Sequence, residues 1–138
     1  MTRRPMRAIS LLLARAAGAR ERGSSTIQMV VLLPALFTLM FLGVQGALLY
    51  QGRTVALAAA QEGARVAAAE SSSAGIGISA AYDYVSSTTV GLKGTVVTGT
   101  RSATQASITV SSRTVSVIPG FSPTVVQSAS MPVERVTG

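Results

Sequence analysis

Cysteine, histidine and tryptophan are all absent from the 138 residues, only 5 residues are acidic, and aromatics amount to 4%. Without cysteine there is no disulfide or thiolate chemistry. Without histidine, imidazole metal sites and every catalytic triad built on His or Cys are excluded as well. Lys93 is the sole lysine and has no Ser-x-x-Lys partner, and no Gly-x-Ser-x-Gly elbow occurs. Beyond Glu70 the acids are Asp83 and Glu134, lone carboxylates of the kind that solvate a fold. No enzyme, cofactor or metal site is therefore expected. Charged residues are scarce at 12%, while hydrophobic residues reach 48% with a mean hydropathy of +0.46. That balance excludes both an acidic disordered chain and an ordinary water-soluble globule.

The charge present is positive, net +7, and sits at one end. Residues 1–23 contain Arg3, Arg4, Arg7, Arg15, Arg20 and Arg22 against Glu21 alone. A nucleic-acid domain would spread its cations over a face interleaved with aromatics, so no nucleic-acid partner is expected. Instead, the basic segment leads into 30 uncharged residues from Gly23 to Gly52. The centre of this run, Val30–Tyr50, meets the requirement of roughly 20 apolar residues for a bilayer-crossing helix. It is too long for a secretory h-region, and its end, Leu48-Leu49-Tyr50, offers no convincing Ala-x-Ala cleavage site. Six Arg before the span and only Arg53 and Arg65 soon after it predict a cytoplasmic N-terminus and an extracytoplasmic C-terminus. Inside the span, Pro34 removes a backbone donor and is expected to loosen the helix. Gln45 offers a hydrogen bond to a neighbouring helix, and Gly43 and Ala47 form a small-xxx-small pair suited to close helix approach.

The helical pattern continues past the membrane. Residues 51–70 are Ala-rich, and Gly52, Ala56, Ala60, Ala64 and Ala68 recur every four positions, a stripe suited to packing against another helix. Ser71–Gly75 reads as a break, and Ile78–Ser86 as a short second helix. The texture then turns to Thr, Val and Ser, with strands expected at Thr95–Thr98, Ala106–Val110, Thr114–Ile118 and Thr124–Met131. The expected class is α+β. Its parts are a basic leader (1–23), a transmembrane helix (24–50), an Ala-rich helical extension (51–70) and a small antiparallel β-rich head (71–138). So small a sheet is marginal alone and should lean on the helix or on partner subunits.

This order of parts is similar to a type IV prepilin. More narrowly, three stretches resemble the TadE-like pilus assembly family, the pseudopilins of tight-adherence systems. They are Arg22-Gly23-Ser24-Ser25 leading into Val31-Leu32-Leu33-Pro34, then Ala58–Ala68 with Glu62-Gly63-Ala64-Arg65 at its centre, and finally Ile118–Phe121 with Met131-Pro132-Val133-Glu134-Arg135. The last resembles the ends of actinobacterial members. The resemblance implies cleavage between Gly23 and Ser24 by a prepilin peptidase. It further implies packing against other pilin and pseudopilin subunits, contact with an inner-membrane assembly platform and with membrane lipid, and location in the cell membrane or a surface pilus. Pilins usually carry Glu as the fifth residue after the cut; here it is Gln28, which supplies no charge to pair with a neighbour's N-terminal amine. That departure points to a minor pseudopilin or assembly component. The alternative is an uncleaved, single-pass anchored module that binds or regulates at the cell envelope.

Overall fold

The computed structural model describes residues 5–88 and 91–134, with side-chain surroundings from Thr26 onward. The chain forms helix α1 (Pro5–Ala68), helix α2 (Ala74–Ser87) and strands β1 (Leu92–Arg101), β2 (Gln105–Thr114) and β3 (Thr124–Pro132). It divides into two compact units, Met1–Phe41 and Leu42–Gly138.

The described part of the first unit is helical throughout. Pro5 opens α1, the position where a missing N–H costs least. Pro34 lies inside the same helix, and its carbonyl accepts a 2.8 Å bond from the Thr38 hydroxyl. The helix assignment therefore runs through the residue expected to loosen it.

The second unit is built on the remainder of α1. That helix ends where Ser71 adopts a left-handed φ of 59°, and Ser73 then caps α2 by accepting a 3.3 Å bond from the Ile76 N–H. The three strands form an antiparallel meander with β2 in the centre. Ala106, Ile108, Val110, Ser112 and Thr114 alternate as the buried face of β2, the period-two pattern of a half-buried strand. On β1 an extra residue between Lys93 and Val96 makes a bulge, with Gly94 at φ 59°. There the Thr95 hydroxyl meets Ser112 Oγ at 2.9 Å, and Ser112 donates to the Lys93 carbonyl at 3.2 Å.

Two expectations change. The second helix is longer than Ile78–Ser86, because the Ser73 cap starts it a turn earlier. No separate strand occupies Thr114–Ile118: β2 ends at Thr114 and residues 115–123 form the β2–β3 loop. The backbone groups there are engaged elsewhere. Thr114 N–H binds the Pro123 carbonyl (2.9 Å), Val115 N–H the Gly91 carbonyl (3.1 Å) and Val117 N–H the side chain of Gln45 (3.0 Å). The sheet is thus three-stranded.

The core is made mainly of alanine. Ala56, Ala59, Ala60, Ala64 and Ala67 of α1 are fully buried together with Ala81, Ala106, Ile108 and Val110. Each methyl contributes only about 0.8 kcal/mol by transfer, so the stability of such a core depends on backbones lying close together.

Candidate functional site

Two stretches of α1 differ sharply in what surrounds them. From Ile27 to Val44 every residue is exposed, including Leu36 at 67%, Phe37 at 48% and Val44 at 42%. These 18 helical residues rise about 27 Å, close to the roughly 30 Å hydrocarbon core of a bilayer. A helical run that is apolar all round and exposed among the described residues fits a single-pass membrane anchor; the apolar helical stretch Thr26–Ala68 has a mean hydropathy of 2.3 over its best window.

The second stretch begins at Gln45 and is covered. The Gln45 side chain is only 6% exposed, and its Oε1 accepts bonds from Ser116 Oγ (2.8 Å) and Val117 N–H (3.0 Å). A residue that sequence reasoning places in lipid, as glue for a neighbouring helix, here ties α1 to the β2–β3 loop of its own head. The small-residue stripe behaves in the same way. A methyl built on Gly52 would strike the Thr114 side chain. One on Gly63 would lie 2.7 Å from the Gly77 carbonyl oxygen, 2.9 Å from Ala81 Cβ and 3.2 Å from Ile108 Cγ2. Ala56, Ala60 and Ala64 have no exposed surface. The stripe faces α2 and the sheet of the same chain instead of a second membrane helix. Small side chains encode close approach without naming the partner.

The remaining candidates are distributed as follows. Gln28, Pro34, Gly43 and Ala47 are exposed, and a methyl built on Gly43 would meet nothing within 4 Å. Gly23 and Ser24 fall within α1, but their surroundings lie outside the described residues, as does Arg135 altogether. Pro132 ends β3 opposite Gln105, and the chain then reaches the end of α1 at Glu134. Val133 packs against the core, and the Glu134 N–H donates to the Ala68 carbonyl at 3.0 Å. Arg101 Nη2 donates to the Ala69 carbonyl at 3.2 Å, placing a cation where the helix presents free carbonyls. Sequence reasoning missed Arg101, Ser73 and Tyr82, whose hydroxyl oxygen accepts the Val97 N–H at 3.1 Å and so covers part of the β1 edge. Only a cap-forming Ser before a helical run, at Ser73, offered a signal.

Glu62 and Arg65 form a bidentate ion pair, with Arg65 Nε 3.0 Å from Glu62 Oε2 and Nη2 2.5 Å from Oε1. The hydrogen bonds from Arg65 hold the Glu62 carboxyl below its ordinary value, outweighing the small opposing effect of burial. A depressed folded-state pKa stabilises above the unfolded value and loses that effect as pH falls through the folded one. The pair therefore contributes at neutral pH and nothing in strong acid, and solvent screening keeps the contribution small. In an NMR titration, Arg65→Gln should move the Glu62 midpoint back up; an unmoved midpoint would mean the pair does not persist in solution.

An apolar helical run exposed over about one membrane thickness, followed by an α+β unit built on the rest of the same helix, fits the class of single-pass, helix-anchored proteins. Residues 23–65 match the family described as TadE-like protein, which supports a TadE-like pilus assembly protein and a role associated with that pilus. The matched segment takes in Gly23, the exposed run and Glu62–Arg65, and stops short of Pro132–Arg135. No curated protein and no solved structure matches the chain.

Proposed function

We propose that the chain is a minor pseudopilin or assembly component of a tight-adherence pilus, inserted with its N-terminus in the cytoplasm and processed after Gly23. The observation that carries this reading is the family match over residues 23–65, where the Gly-Ser junction and the exposed apolar run Ile27–Val44 lie in one segment. The role is one of assembly and not of catalysis. A prepilin peptidase cuts before Ser24, and Ile27–Val44 stays in lipid until a neighbouring pilin or the assembly platform takes it up. Because Gly52, Ala56, Ala60 and Ala64 are already covered, subunit contacts fall to the exposed small residues Gly43 and Ala47 and to Gln28.

Gly43→Leu combined with Ala47→Leu places two bulky side chains at exposed positions where close helix approach is needed. Crosslinks to other pilus subunits should disappear, with membrane insertion and head stability unchanged. Undiminished crosslinking would remove this face from assembly and favour a solitary anchored module.

A further inference from the structure

Next to the loop that Gln45 holds, where β2 ends, Lys93 on β1 stands directly opposite Arg113 on β2. Like charges opposed across an antiparallel pair repel. No Asp or Glu occurs between Asp83 and Glu134, and among the described residues neither cation belongs to an ion pair. Both line an open hollow of about 310 Å³ together with Ser116, Pro119 and Phe121 of the β2–β3 loop. The loop also exposes apolar side chains: Val115 is 38%, Val117 40% and Phe121 47% accessible. Gln45 holds that loop through Ser116 and Val117, and Gln45 is the residue directly after Val44, where the exposed apolar run ends.

We infer that the β2–β3 loop with Lys93 and Arg113 docks on the membrane that the helix crosses, the two cations binding the phosphates of anionic lipids while Phe121 enters the headgroup layer. This rests on the reading of Ile27–Val44 as the span. Three observations select lipid as the occupant. Among the described residues the cation pair has no acidic partner. Exposed apolar side chains flank it, the composition of an interfacial anchor. The loop is also bonded to Gln45, the residue that directly follows the exposed apolar run in sequence. Two basic residues near an anionic surface favour the docked state roughly thirtyfold.

The chain has no tryptophan, so single replacements report position directly. The full chain carrying Phe121→Trp is reconstituted in phosphatidylcholine vesicles with or without phosphatidylglycerol, using lipids brominated near the headgroup. The expected result is strong quenching with phosphatidylglycerol and weak quenching without it. Adding Lys93→Gln and Arg113→Gln should lower the docked-to-undocked ratio by roughly thirtyfold; since this removes opposed like charges at exposed positions, the head stays folded. Ala103→Trp, in the turn between β1 and β2, should escape quenching in both vesicles. Phe121→Trp emission that is unquenched with phosphatidylglycerol, or quenched equally in both vesicles and in the charge variant, would overturn the inference. So would a response to inorganic phosphate alone that matches the response to anionic vesicles, since that indicates a soluble-anion site. Phe37→Trp tests the span separately: mid-chain bromine should quench it in every vesicle, and its failure would refute the span itself, not the docking.

Discussion

Gly63→Leu is expected to lower the melting temperature of the Leu42–Gly138 unit strongly while leaving the anchor helix inserted. The two effects of this change have opposite signs. Leucine is the better helix former by roughly 0.8 kcal/mol, so α1 on its own gains. The packing cost is larger, because the first added atom already lies 2.7 Å from the Gly77 carbonyl oxygen and 2.9 Å from Ala81 Cβ. Those neighbours are backbone and a methyl group, neither of which can rotate away. Overpacking typically costs about 1–3 kcal/mol, and with three walls in contact the upper end applies. For a unit of this size that is roughly a 10–20 °C fall in Tm. Thermal melting and protease resistance of the detergent-extracted protein measure it. A head that melts with the wild type would mean that α1 and α2 do not cross at Gly63 and Gly77.

Gln45→Leu should loosen one loop and spare the rest. The substitution keeps helix propensity and volume nearly constant but leaves Val117 N–H without its acceptor; Ser116 retains the Ile118 carbonyl at 3.1 Å. An unpaired, partly buried amide costs about 1–3 kcal/mol. Part of that loss is offset, since Gln45 Nε2 is itself buried without a partner among the described residues, and leucine removes it. Hydrogen exchange of Val117 should accelerate about tenfold or more while β2 amides at Ile108 and Val110 stay protected. Unchanged exchange at Val117 would show that Gln45 does not hold the loop.

Much of the architecture was legible beforehand because it rests on local chemistry. An uncharged run after six arginines marks a helix long and apolar enough to cross a membrane whatever the head does, and the alternation at Ala106, Ile108 and Val110 marks a half-buried strand. The fourth strand failed for a reason outside its own residues. Val115 and Val117 favour extended backbone, but their amides are claimed by Gly91 and by Gln45, the latter 72 residues away in sequence. Gln45 was assigned to lipid by its apolar neighbours, which carry no trace of a loop returning to it from 71 to 72 residues along the chain. The stripe from Gly52 to Ala64 announced close packing. Only the fold shows that α2 and the sheet fill it, which shifts the proposed subunit contacts to Gly43 and Ala47.

The proposed role as a processed pilus subunit turns on the bond between Gly23 and Ser24. The intact mass of the protein extracted from membranes of cells that make the pilus addresses it directly, measured beside Gly23→Leu. The expected mass is that of a chain beginning at Ser24, with the Gly23→Leu protein retaining all residues before it. A wild-type chain that keeps its basic leader, equal in processing to Gly23→Leu, would contradict the account and leave an anchored envelope module in its place.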